Sequence, residues 1–130
     1  MRNIILFFLL LLNNIAFYSQ KTTVSNDSLN AKLNLVYTNY DELDYLNAVI
    51  QGRQLLEKAY EKNDSVYIAE AYYALGIIDE TVQDYNKAEE KYTNALNIAE
   101  ARRDSVFLVD IYNGLANIAS LQKKHKNRYF

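Results

Sequence analysis

The chain has 130 residues, half of them apolar, with twelve Tyr, three Gly and no Cys, Pro or Trp. That is enough for one domain with a buried core, it excludes disulfides, thiol nucleophiles and thiolate metal sites, and its poverty in Pro and Gly argues for helices joined by short polar turns rather than an all-β fold. The net charge of −2 is uneven: nine Lys and Arg face sixteen Asp and Glu between Lys21 and Gln122, a net of −7, while Lys123 to Phe130 carry four basic side chains and no acid. An acidic body argues against nucleic acid as a partner of this segment, because phosphate neutralisation needs clustered cations.

The chain begins with Arg2 ahead of an unbroken apolar run, Ile4 to Leu12, followed by Asn13-Asn14 and then Ile15 to Gln20. A short positive start, an apolar stretch and a small residue near Ser19 read as a secretory signal peptide over residues 1–20. A bilayer span needs about 20 mostly apolar residues, and two central Asn are costly there. The expectation is an exported chain, periplasmic or secreted. It stays anchored only if this segment is uncleaved. Residues 21–27 then form a short linker.

Helices are predicted near 28–41, 44–62, 65–81, 85–102 and 105–123, with residues 124–130 as a basic tail. The strongest signal is internal repetition. Asp64-Ser65-Val66 returns as Asp104-Ser105-Val106, Tyr72 as Tyr112, Leu75 as Leu115 and Ile78 as Ile118, all at an offset of forty. Asp44-Tyr45 and Ala48 return as Asp84-Tyr85 and Ala88 in the same register, Leu56 as Leu96, and Ala59 as Ala99. Ala71, Leu75 and Ile78 form one buried helical stripe; Ala88, Tyr92, Ala95, Leu96 and Ala99 form another. Asp64-Ser65 and Asp104-Ser105 are suited to cap the helices that follow them, and capping also explains the Asn26-Asp27-Ser28 and Asn63-Asp64-Ser65 sequons without glycosylation. The units fall at about 24–64, 65–104 and 105–123. Two are reasonably complete and the last is half a unit.

Tyr72, Leu75 and Gly76, followed by Ala88, Tyr92 and Ala95, resemble the tetratricopeptide (TPR) pattern of Leu-Gly in a first helix and Ala-aromatic-Ala in a second. Tyr112, Leu115 and Ala116 open a further unit, and Ala31, Leu35, Val36, Ala48 and Gly52 make a degenerate first one. Asp79, Ala119 and Glu100 depart from the family's preferred residues, and the forty-residue period is similar to long TPR variants of exported and sensor proteins. The resemblance implies an all-α fold of antiparallel helix pairs stacked as a short right-handed solenoid. It further implies a concave groove lined by Tyr37, Tyr40, Glu70, Tyr73, Ile77, Glu80, Asp110, Asn113 and Asn117. Tyr72, Tyr92 and Tyr112 fall on positions expected to be core.

No catalytic constellation is legible. His125, the sole imidazole, lies among Lys123, Lys124 and Lys126, and the adjacent carboxylate pairs Asp41-Glu42, Asp79-Glu80 and Glu89-Glu90 diverge by about 100° on a helix. The three Gly are isolated, so no phosphate-cradling loop exists. A non-enzymatic scaffold that binds a protein or peptide, without cofactor or metal, is therefore expected. The alternative is the N-terminal sensor fragment of a membrane-bound signalling or transcription-regulating protein, reaching the membrane through a downstream span. Leu108, Ile111, Leu115 and Ile118 look too apolar for a solvent-facing cap, which points to a fragment of a longer array or to self-association through an open C-terminal repeat.

Overall fold

A computed structural model describes residues 27–128 of the chain, and the described part is all helical. The predicted signal segment, residues 21–26 of the linker, and the last two residues lie outside it. Helix α1 covers residues 27–41, α2 Tyr45–Glu61, α3 Ser65–Thr81, α4 Tyr85–Arg102 and α5 Ser105–Arg128. The first four agree with the sequence reading to within a residue at each end. The fifth does not. Helix α5 runs on through Lys124, His125 and Lys126 to Arg128, so these residues continue the helix instead of forming a separate tail. Straight-chain Lys and Arg lose little freedom in a helix, and cations are favourable at its C-terminal end.

The turns are more regular than the sequence. Leu43, Asn63, Gln83 and Arg103 all have positive φ, between 52° and 64°, at intervals of twenty residues. Each donates its N–H to the carbonyl three residues back, and the Asp that follows donates to the carbonyl five back: Asp44 to Asn39, Asp64 to Ala59, Asp84 to Asp79 and Asp104 to Ala99. This is the Schellman arrangement, in which a left-handed residue closes the helix. The same Asp then caps the next helix. Asp44 accepts from the Asn47 amide, Asp64 from Val66 and Tyr67, Asp84 from Lys87, and Asp104 from Phe107. One residue thus ends a helix through its amide and starts another through its carboxylate. The geometric unit is the single helix of twenty residues, half the period read from residue identity.

A second device shares that period. The Tyr72 hydroxyl meets the Tyr60 hydroxyl at 3.0 Å, Tyr92 donates to Glu80 at 2.7 Å, and Tyr112 donates to Glu100 at 3.0 Å. In each case a Tyr ties its helix to the last turn of the helix before. These contacts, with Gly52 against Leu75 and Gly76 against Tyr92, run successive helices antiparallel. Helix α3 packs on α2 and α4, α4 packs on α5, and α3 also touches α5. On one side α1, α3 and α5 run in the same direction, joined by Tyr40–Thr81, Tyr73–Phe107 and Glu80–Asn117 contacts.

Burial follows from these neighbours. Ile68, Ala69, Ala71, Ala74, Leu75, Gly76 and Ile78 of α3 are all buried, so this helix is enclosed on more than one side. The buried stripe of α4, Ala88, Tyr92, Ala95 and Ala99, agrees with the sequence reading except that Leu96 is half-buried. In α1 the stripe is Leu29, Leu33, Val36 and Tyr40; Ala31 and Leu35, expected in the first repeat's pattern, are exposed. Leu108, Ile111, Leu115 and Ile118 are the packed side of α5, with Ile111 and Ile118 buried, and are not its open side. The large apolar residues that α5 exposes are Val106, Val109 and Tyr112. Tyr112, expected in the core, is 50% exposed because no described helix packs on that side of α5.

Tyr92 joins three helices. Its ring, 1% exposed, rises from α4 between α3 and α5. A Cβ built on Gly76 would lie 2.8 Å from the ring, and one on Gly114 would lie 2.9 Å from it. Only residues without a Cβ let both helices approach so closely.

Candidate functional site

The nine residues expected to line a groove lie on the helices that form the α1/α3/α5 side. Glu70, Tyr73, Ile77 and Glu80 stand at spacings of three, four and three, one stripe along α3. Asp110, Asn113 and Asn117 occupy the same stripe of α5, and Tyr37 and Tyr40 a stripe of α1. The α1 and α3 members are half-buried, and the three of α5 are exposed.

Two clusters form along this side. At one end Tyr37 of α1, Glu70 and Tyr73 of α3, and Asp110 of α5 lie within electrostatic range of one another. Burial first, and then the charges of Glu70 and Asp110 and the Tyr73 phenol, push the Tyr37 hydroxyl well above its ordinary pKa. Tyr73 is raised for the same reasons, burial leading and Asp110, Glu70 and Glu80 adding to it. Burial also raises Glu70, reinforced by Asp104 and Asp110 and opposed by Arg102. Desolvation disfavours the charged form of an acid, and neighbouring negative charge disfavours it further. Both phenols therefore remain neutral, with their apolar rings and polar tips intact. The Tyr73 ring stands 5.3 Å from Phe107, edge-on, and 5.6 Å from Tyr92, so it is held from two sides.

At the other end Glu80 accepts from the Tyr92 hydroxyl through Oε2 and from the Asn117 side-chain amide through Oε1. Burial, then the bond to Glu80, keep Tyr92 protonated and donating. Tyr40 shares a hydrogen bond with Thr81 at 2.9 Å and packs its ring on Tyr45 at 5.7 Å. The structure thus brings Tyr37, Glu70, Tyr73 and Asp110 together, and separately Glu80 and Asn117, with Tyr40 beside Thr81. Ile77 packs on the adjacent core between the two clusters. Asn113 is exposed, one turn from Asp110 and Asn117, and makes no side-chain hydrogen bond to a described residue.

Sequence reasoning missed three members of this side. Phe107 supports Tyr73, Thr81 holds Tyr40, and Tyr92, though correctly read as core, delivers its hydroxyl to the surface network. Phe107 had a signal, since it repeats Tyr67 one unit on. Elsewhere, a 460 Å³ cavity lies between α2 and α4 over Tyr72 and Leu75, walled by Arg53, Asp79 and Lys91. Burial raises the Asp79 carboxyl there, against the pull of Lys91, Lys87 and Arg53. His125 borders a 410 Å³ surface cavity with Asp84, Tyr85 and Gln122.

Among the described residues, no group of three His, Asp or Glu is placed to hold a metal ion, and no helix is long and apolar enough to cross a membrane. No family model matches the chain, and neither the curated proteins nor the solved structures include a match to it.

Proposed function

We propose that this chain is a TPR-type binding scaffold of an exported protein, in which residues 28–123 stack as a short right-handed solenoid behind an export signal. Its role is to hold a protein or peptide against the α1/α3/α5 side, without cofactor or catalytic step. The observation that carries this reading is the convergence of Tyr37, Glu70, Tyr73 and Asp110 from three different helices onto one side. Half-buried Tyr supplies contact area with little entropy to lose, and the polar groups around it give orientation. The neighbours of the carboxylates are phenols, amides, further carboxylates and the Arg102 guanidinium, a set suited to recognition rather than to nucleophile–base chemistry.

The test is selection from a random capped-peptide display library on the purified chain, with a Tyr37→Ala variant in parallel. Binding at this side predicts peptides enriched on the wild type and lost on the variant, while circular dichroism of the two chains stays alike. Peptides retained equally by the folded variant would place the binding surface elsewhere.

A further inference from the structure

The basic end of α5 forms one wall of a cavity against the start of α4. We propose that Lys124, His125 and Arg128 of α5, with Gln83 and Tyr85 beside the α4 N-terminus, form a binding site for a phosphate group. None of these residues belongs to the nine of the α1/α3/α5 side, and the site does not depend on the binding reading given to them.

Three observations support it. First, Leu115 and Ile118 pack α5 on the core, and the same face continues at helical spacing as Leu121, Lys124, His125 and Arg128. Where that face passes the start of α4 it does not close. It leaves a 140 Å³ cavity lined by Gln83, Tyr85, Leu121, Lys124, His125 and Arg128, beside a 410 Å³ cavity that shares Gln83, Tyr85 and His125. Second, no acid among the described residues lines the smaller cavity. The ion pairs among the described residues are Lys58–Glu61, Lys87–Asp84, Lys91–Glu90 and Arg102–Asp104, and none takes Lys124 or Arg128. The nearby acids of α4 are engaged: Asp84 holds Lys87 and caps the helix, and Glu89 accepts from Gln122 at 3.2 Å. Third, Gln122 also reaches Asn86 at 3.5 Å, so α5 is tied to α4 one turn before the cavity and its cationic wall is held in place.

A phosphate group matches this set. Its charge and its several oxygens call for several donors at once. Arg128 offers a planar fork, Lys124 a compact charge, and the Gln83 amide and Tyr85 hydroxyl offer neutral donors. The size agrees, since 140 Å³ is several times the share of a water, about 30 Å³, and below the about 300 Å³ at which sites for larger ligands begin. Free phosphate and the headgroup of an anionic phospholipid present the same chemistry, and separate titrations tell the two sources apart.

Inorganic phosphate titrated into the isotope-labelled chain, with chloride keeping the ionic strength constant, should give saturating shifts in the magnetic resonance signals of Gln83, Tyr85 and His125. Lys124→Gln and Arg128→Gln should each weaken binding about ten-fold or more. Lys123→Gln removes a neighbouring charge outside the cavity and should change binding by less than about two-fold. All three side chains are exposed, so circular dichroism should match the wild type. In parallel the chain is floated with vesicles of phosphatidylglycerol and phosphatidylcholine, and with phosphatidylcholine alone. Capture by the anionic vesicles that is lost in Lys124→Gln assigns the headgroup as the source. Saturation by free phosphate without vesicle capture assigns the free ion. A chain that neither saturates with phosphate nor shows variant-sensitive capture would overturn the site. So would equal losses from Lys123→Gln and Lys124→Gln, which would mean a diffuse charge rather than a cavity.

Discussion

Helices α3 and α5 are the same element written twice, forty residues apart, and they differ in what surrounds them. Ala69 is 0% exposed and its counterpart Val109 is 58% exposed; Gly76 is buried and its counterpart Ala116 is exposed. Helix α3 lies between α2 and α4, so it must be small on both flanks. Helix α5 packs on α4 and touches α3, so only one flank is constrained. What the two share is the stripe toward the α1 side: Glu70 and Tyr73 in one, Asp110 and Asn113 in the other. The repeat therefore keeps one face for packing and one polar face on the α1/α3/α5 side. The third flank varies with its neighbour.

The largest effect should come from removing what α3 and α5 hold in common. Tyr92→Ala deletes a buried ring seated on Gly76 and Gly114, and should destabilise the chain by about 3–5 kcal/mol in denaturant unfolding. Tyr92→Phe keeps the ring and loses the bond to Glu80, for about 1 kcal/mol. Equal losses from both would mean that the hydrogen bond, not the packing, joins the helices.

The flank difference is tested by exchange. Ala69→Val overfills an enclosed site and should cost about 1–3 kcal/mol, whereas Val109→Ala should stay within about 0.5 kcal/mol of wild type. Gly76→Ala should also destabilise, by about 1–3 kcal/mol, since the Tyr92 ring is blocked from retreating by Gly114. Gly52→Ala meets the Leu75 side chain at Cδ2 and Cγ, with no second helix backing it as Gly114 backs Tyr92, and gains helix propensity, so its change should be the smaller. Similar midpoints for Ala69→Val and Val109→Ala would erase the distinction between the two helices.

The turns should respond in the opposite direction. Gln83→Gly and Arg103→Gly relieve a left-handed conformation that side chains disfavour, and each should raise stability by up to about 1 kcal/mol. Asn63→Gly should do less, because Asn tolerates that conformation.

The smallest effect concerns pH. The Glu70 carboxyl is raised in the folded chain, so the folded state holds its proton more tightly than the unfolded one. Its contribution is favourable below the unfolded pKa and is lost as pH rises through the folded one. Glu70→Gln should therefore be slightly more stable than wild type at neutral pH. That advantage should shrink on acidification through the carboxylate range, as read by thermal melts of both chains.

Much of the fold was legible because helical stripes such as Ala71, Leu75 and Ile78 record burial directly. The turns were not. Leu43, Gln83 and Arg103 are not residues that announce a left-handed conformation, and the Asp that follows each does the capping for any predecessor. The twenty-residue unit was hidden because identity is strongest at forty. Tyr112 was misplaced because a repeat position implies burial only when a neighbour covers it. In α1, Val36 was rightly expected to be buried, but Leu29 and Leu33 compete with Ala31 and Leu35 for the same four-residue spacing, and only packing against neighbouring helices decides between them. The stripe proposed for binding is named from resemblance alone. Its internal wiring, the electrostatic influence of Glu70 and Asp110 on Tyr37 and the bond of Asn117 to Glu80, depends on how separate helices are placed, which no single stretch of sequence encodes.

Hydrogen exchange with a selected peptide bound tests the central claim most directly, since α5 offers two candidate faces. Binding at the recognition side predicts slowed exchange in α1 around Tyr37, in α3 around Glu70 and Tyr73, and in α5 around Asp110. The reverse pattern, protection confined to α5 around Val106 and Val109 with α1 and α3 unchanged, would contradict it.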